Sequence, residues 1–164
     1  MRACVFPGSF DPMTLGHLDL IRRAASIFDD VTVAVMVNRA KTGCIPYEER
    51  AEMIVSACRG MENVHVDMWQ GLLADYMRMH PGSVVLRGIR SASDYEYEAG
   101  SAAVNRRLCP GLETVFLPAS DGLDCVSSSV VREIAAFGGE YGAFVPACNR
   151  KKLKKWLKPF SQDK

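Results

Sequence analysis

The sequence predicts an α/β fold, one doubly wound domain over residues 1–164 built on a five-stranded parallel sheet. Two observations carry this. Five short, valine-rich apolar runs recur along the chain, and stretches of helical period separate them. The length of 164 residues suits one domain with a filled core.

The strand runs are Arg2–Phe6, Val31–Val37, Val64–Met68, Ser83–Leu86 and Thr114–Leu117. They are nearly continuous in apolar residues, as strands buried on both sheet faces are. Between the first two, Leu18, Ile21, Ala24, Ala25 and Phe28 recur at helical spacing over 16–28. Over 47–58, Met53, Ile54, Ala57 and Cys58 do the same. Glu48 and Glu49 stand near that helix's N-terminus, where the dipole favours acids. Further helices are expected at 71–79, 92–108 and 128–137. Gly138-Gly139 closes the last of these, since glycine readily takes the left-handed cap conformation. A final helix at 149–160 places Leu153, Trp156, Leu157 and Phe160 on one face and lysines mostly on the other, as a docked amphipathic helix does. In such Rossmann-like folds ligands bind beyond the carboxyl ends of the strands, where the strand order reverses. The loops after strands 1, 2, 4 and 5 are therefore the candidates.

Composition narrows the function classes. The chain is 48% hydrophobic and 24% charged, with no apolar run near the roughly 20 residues a membrane span needs. Ala3–Phe6 before Pro7 is too short for a signal-peptide core, so a cytoplasmic protein without a membrane partner is expected. Cysteines at 4, 44, 58, 109, 125 and 148 lack metal or redox spacing, and no protein metal site is expected. They are read as small buried hydrophobes. Residues 150–164 hold seven Lys and Arg and one acid; the remaining 13 bases and 18 acids leave a balance of −5. A basic tail on an acidic body does not suggest a nucleic-acid partner.

The first loop reads Pro7-Gly8-Ser9-Phe10-Asp11-Pro12-Met13-Thr14-Leu15-Gly16-His17. It is not a P-loop and carries no dinucleotide glycine fingerprint. Thr14 is placed as an N-cap and His17 in the first helical turn, where free N–H groups attract anions. Ser9 adds a hydroxyl donor. Arg87-Gly88-Ile89-Arg90 directly follows the fourth predicted strand, and paired guanidiniums suit phosphate. Lys41 follows strand 2 and can reach the same crevice. Ser127-Ser128-Ser129 opens the helix after strand 5 with hydroxyls and N–H groups. All four loops open on one side of the sheet.

Thr14-x-Gly16-His17 resembles the T/H-x-G-H signature of the nucleotidylyltransferase superfamily, whose motif binds ATP phosphates and stabilises the transition state. The full order is Gly8–Pro12, Gly16-His17, Lys41, Glu48-Glu49-Arg50, Arg87-Gly88-x-Arg90, Asp94–Glu98, Asn105-Arg106 and Ser127-Ser128-Ser129-x-x-Arg132. It resembles the bacterial phosphopantetheine adenylyltransferase family over roughly residues 2–137.

That resemblance implies transfer of AMP from ATP to 4′-phosphopantetheine, giving 3′-dephospho-coenzyme A and pyrophosphate. It implies in-line attack without a covalent intermediate, and magnesium accompanying the nucleotide. It makes His17 the catalytic, charge-stabilising residue. Ser9, Lys41, Leu73 and Arg87 match acceptor-binding positions. Ser9, Phe10, His17, Gly88, Ile89, Arg90 and Glu98 match ATP-binding positions, as does the segment Leu123, Asp124, Cys125, Val126, Ser127, Ser128 and Ser129. It further implies a homohexamer, with coenzyme A as a feedback ligand. Four departures stand out. Serine replaces the frequent threonine at 9. Arg39 and Gly43 replace common prolines, which loosens the expected loop around Lys41. Leu123-Asp124-Cys125 lacks the usual aromatic residues. Gly100 replaces a frequent glutamine inside a helix, at a cost of up to about 1 kcal/mol relative to alanine. The rivals are a nucleotidylyltransferase for nicotinamide mononucleotide or an alcohol phosphate, a silent nucleotide- or coenzyme A-binding module, and a nucleic-acid-binding domain using the tail.

Overall fold

The computed structural model describes residues 2–37 and 43–160. Its elements alternate as β1 (Ala3–Gly8), α1 (Leu15–Ile27), β2 (Asp30–Val37), α2 (Tyr47–Ala57), β3 (Val64–Gln70), α3 (Leu73–Arg78), β4 (Ser83–Ile89), α4 (Ala92–Leu108), β5 (Thr114–Pro118), α5 (Ser128–Ala136) and α6 (Arg150–Trp156). The five strands form one sheet in the order β3-β2-β1-β4-β5, and every pairing is parallel. The order reverses between β1 and β4, so their carboxyl ends frame the expected crevice.

The three central strands β2, β1 and β4 are buried on both faces because successive residues serve different cores. The edge strands β3 and β5 hold no buried residue, and β3 exposes His65, Asp67, Met68 and Gln70, contrary to the two-sided burial expected from sequence. Cys4 and Phe6 of β1, Val31, Val33 and Val35 of β2 and Leu86 of β4 pack against Leu18, Ile21 and Ala24 of α1 and Ile54 of α2. The intervening Val5, Ala34 and Val85 pack on the opposite face with Tyr76 and Met77 of α3. A satellite core joins Ile45 and Met53 to Val131 and Ala135 of α5 and to Leu153 and Leu157.

Strand ends differ from the sequence expectation. β1 runs on through Pro7 and Gly8, and β4 through Arg87, Gly88 and Ile89. Register explains this: Pro7 and Gly8 lie opposite Ala34 and Val35, and Arg87 to Ile89 lie opposite Phe116 to Pro118. Residues 87–89 are therefore strand, and only Arg90 follows it. The last helix is shorter than expected. It ends at Trp156, with Leu153 and Leu157 buried and Phe160 at 68% exposure. Lys152 and Lys155 dock it further by pairing with Glu52 and Glu49 of α2. Gly138 follows α5 with φ of 74°, the left-handed conformation expected at that end. The cysteines divide. Cys4 and Cys58 are buried, Cys109 is half-buried, and Cys44, Cys125 and Cys148 are exposed. The exposed three lie in loops and a 3₁₀ turn, where the neighbouring Ile45, Val126 and Asn149 take the inward positions.

Candidate active site

A cleft of about 270 Å³ opens at the β1–β4 reversal. Its walls are the end of β1, the N-terminus of α1, the end of β4 and the start of α5. Ser9, Phe10, His17, Gly88, Ile89, Arg87, Arg90 and Glu98 all line it, as do Leu123, Val126, Ser127 and Ser128.

The start of α1 explains the Thr14-x-Gly16-His17 spacing. Thr14 is the N-cap, and its Oγ1 accepts from the His17 N–H at 3.4 Å. In return the Thr14 N–H donates to His17 Nδ1 at 3.0 Å. This is a reciprocal capping box in which histidine takes the place of the usual Glu or Gln. The consequence is chemical. Nδ1 accepts, so the proton of the neutral ring sits on Nε2. Among the described residues that N–H has no partner. Burial, then Arg90, then Arg87 push the His17 pKa down from 6.5 to about 4. The ring is therefore a neutral Nε2–H donor at neutral pH, packed edge-on against Phe10 with centroids 5.0 Å apart.

The two arginines are already oriented. Arg87 gives Nε and Nη2 to Glu98 at 2.7 and 2.5 Å, and Nη1 to the Pro7 carbonyl at 2.9 Å. Arg90 gives Nε to Asp94 Oδ2 at 2.9 Å and Nη2 to Oδ1 at 3.3 Å. The two-toothed faces thus meet carboxylates, not open space. Each guanidinium still keeps N–H groups for a phosphate oxygen. Asp94 belongs to the cleft although it was not singled out among the candidate residues. Its sequence signal is proximity alone: Asp94 lies four positions after Arg90, in the first turn of α4, and the pair spans the N-cap Ser91.

The start of α5 supplies the opposite wall. Ser127 caps the helix by accepting from the Val130 N–H at 3.2 Å. Ser128 instead donates to the Pro12 carbonyl at 2.8 Å, tying α5 to the first loop. Ser129 accepts from Arg132. Asp124, Cys125 and Ser129 do not line the cleft, so the 123–129 segment contributes through Leu123 and residues 126–128. Leu73 lies in an adjoining small pocket with Ser101, Asn105 and Thr114, which shares Arg87 and Glu98 with the main cleft. Lys41 falls outside the described residues. Gly88 has a packing reason. A Cβ there would sit 2.3 Å from Leu20 Cδ1, so any larger residue obliges the Leu20 side chain to turn.

Among the described residues no group of three or more His, Cys, Asp or Glu is gathered to hold a metal ion. No helix among them is long and apolar enough to cross a membrane.

Comparison with known proteins agrees with this geometry. The family model for cytidylyltransferase-like proteins matches residues 5–134. A phosphopantetheine adenylyltransferase of Caldanaerobacter subterraneus is 44% identical over 146 residues, 89% of this chain and 91% of its own. One from Clostridium perfringens is 47% identical over 89% of each chain. One from Thermotoga neapolitana is 45% identical over 86% of this chain and 88% of its own. Among solved structures, the Plasmodium falciparum nicotinic acid mononucleotide adenylyltransferase complexed with NaAD matches with a TM-score of 0.65 at 14% identity, covering 94% of this chain and 95% of that one. A bifunctional NMN adenylyltransferase/ADP ribose pyrophosphatase from Francisella tularensis gives 0.70 at 15% identity, covering 94% of this chain and 50% of that one. At such identity these last two speak for the fold alone. The extent and identity of the sequence matches place the chain in the phosphopantetheine adenylyltransferase family, within the cytidylyltransferase-like nucleotidyltransferases.

Proposed function

We propose that this protein transfers AMP from ATP to 4′-phosphopantetheine, forming 3′-dephospho-coenzyme A and pyrophosphate. One observation carries the chemistry: a neutral Nε2–H of His17 stands in a cleft with two oriented arginines and two helix N-termini. A phosphate oxygen of the acceptor attacks the α-phosphorus of ATP in line. The new P–O bond forms as the bond to pyrophosphate breaks. The acceptor is already an anion, so no general base is required. His17 donates from Nε2 to the α-phosphoryl oxygen as charge builds there. Arg87 and Arg90 place positive charge around the phosphates, and Glu98 and Asp94 hold them in position. Ser9 contributes its hydroxyl between the two substrates.

Asp94 and Glu98 are both engaged by arginines, so magnesium is assigned to the triphosphate itself. Bound there, it would supply positive charge that offsets that of the phosphates. Lys41 and Leu73 are assigned to the acceptor by family resemblance. A cytoplasmic homohexamer, with coenzyme A as a feedback ligand, belongs to the same reading. What supports assembly is α4, whose 17 residues include none that is buried and which exposes Tyr97 and Val104.

The test is direct. Protein, ATP, magnesium and 4′-phosphopantetheine are mixed, and pyrophosphate and dephospho-coenzyme A are measured. Stoichiometric product is expected. Product with nicotinamide mononucleotide and none with 4′-phosphopantetheine would refute the assignment.

A further inference from the structure

Beneath the cleft lies a buried ion pair that does not line it. Asp11 and Arg50 face one another at 3.5 Å, with side chains only 9% and 3% exposed. Isolated buried charges are costly, so such a pair persists when its remaining polar atoms are also satisfied. Here they are satisfied by backbone from two separate loops. Arg50 Nη1 donates to the Ser9 carbonyl at 3.0 Å, and its Nε donates to the Ile45 carbonyl at 2.7 Å. The Asp11 carboxylate accepts the N–H of Cys44 at 2.9 Å and of Ile45 at 3.0 Å. Tyr47 closes the far side, with the guanidinium 4.3 Å from its ring centroid.

Both side chains therefore bridge the same two segments. One is the β1–α1 loop, whose Ser9 and Phe10 line the cleft. The other is the stretch at 43–45, immediately after the residues that include Lys41. Gly43 shows how closely the second segment lies against the pair. A Cβ at that position would fall 1.8 Å from Arg50 Nη2 and 3.1 Å from Asp11 Oδ2. The first loop is held from its other side as well, because Arg132 donates to the Asp11 carbonyl and Ser128 to that of Pro12.

We propose that Asp11 and Arg50 are positioning residues that fix the distance between the phosphate loop at Ser9 and the root of the segment carrying Lys41, and so align acceptor with ATP. This rests on the adenylyl transfer proposed above. Neither residue lines the cleft. Their pairing acts through four hydrogen bonds to the backbone at Ser9, Cys44 and Ile45. In-line transfer depends on placement, and a misplacement of about 1 Å costs on the order of 100-fold in rate.

The test separates positioning from stability. Asp11→Asn and Arg50→Met are made singly and together, and Arg50→Lys is made as the conservative variant. Each is measured by thermal unfolding and by kinetics with ATP, magnesium and 4′-phosphopantetheine. Amide hydrogen exchange is followed at Cys44 and Ile45. Each single variant leaves one charge buried alone and should unfold at lower temperature. The double variant leaves none and should recover most of that loss. Its kcat should nonetheless stay about 100-fold down. Its KM for the acceptor should rise about tenfold, and exchange at Cys44 and Ile45 should quicken by about as much. Arg50→Lys keeps the charge but not the fork, and should show the same kinetic defect in smaller degree. Wild-type kinetics in the double variant would make the pair a structural filler and overturn the proposal. A wild-type protein that makes no dephospho-coenzyme A would refute the reaction, not the clamp. Unchanged exchange at Cys44 and Ile45 in the double variant would then overturn the clamp.

Discussion

The protonation of His17 makes the sharpest prediction. The perturbation is pH. Burial and the two neighbouring arginines move the ring's pKa from 6.5 to about 4, with burial the largest cause. At pH 5 about one His17 ring in ten should carry a second proton, whereas an ordinary histidine would be about 97% protonated. Long-range ¹H–¹⁵N correlation spectra of the imidazoles read this directly. The chain has only three histidines, so assignment is simple. The spectra should show the proton on Nε2 throughout the neutral range and a midpoint near pH 4. Arg90→Met should raise that midpoint but leave it below 6.5, because burial persists. The sign for stability follows. The folded pKa lies below the unfolded one, so as pH falls the unfolded chain takes up the proton first. Stability from this group is fully present above about pH 6.5 and declines as pH falls toward about 4. A midpoint near 6.5, or a proton found on Nδ1, would refute the capping-box argument for the donor.

Three further outcomes are expected. His17→Ala should fold normally by circular dichroism and lose about 10²–10³-fold in kcat, roughly 2.7–4 kcal/mol, the scale of one lost transition-state donor; a near-normal kcat would remove its role. Glu98→Gln breaks a charge-assisted, two-toothed pair with Arg87 and should cost about 1.5–3 kcal/mol in denaturant unfolding, which an unchanged midpoint would contradict. Gly88→Ala puts a methyl against Leu20 Cδ1 and should destabilise by about 1–3 kcal/mol in denaturant unfolding, with the Leu20 side chain turned to a new rotamer in a crystal structure of the variant.

The fold was largely legible in the chain. Valine-rich runs such as Val31–Val37 are apolar on both sides, a pattern of two-sided burial that needs no partner to be recognised. Helix starts at Thr14, Ser91 and Ser127 also follow local rules, since each cap accepts from an N–H three residues on. The ends of β1 and β4 were less legible. Arg87 and Gly88 are unlikely strand formers alone and become strand only by pairing with Phe116 and Leu117. Cys44, Cys125 and Cys148 are exposed against expectation because composition ranks a residue type, whereas burial belongs to a position.

The division at the site has the same physical root. Local sequence determined that a histidine would stand three residues beyond an N-cap, in the first turn of a helix after a strand, where anions bind. It also determined which strand ends would surround it. Tertiary structure alone decided that Arg87 meets Glu98 before any phosphate. It alone decided that Asp11 and Arg50, 39 positions apart in the chain, form a buried pair beneath the cleft. Hydrogen-bond geometry within one turn is set by residues three and four apart. The partner of a buried charge is set by which distant segments pack together.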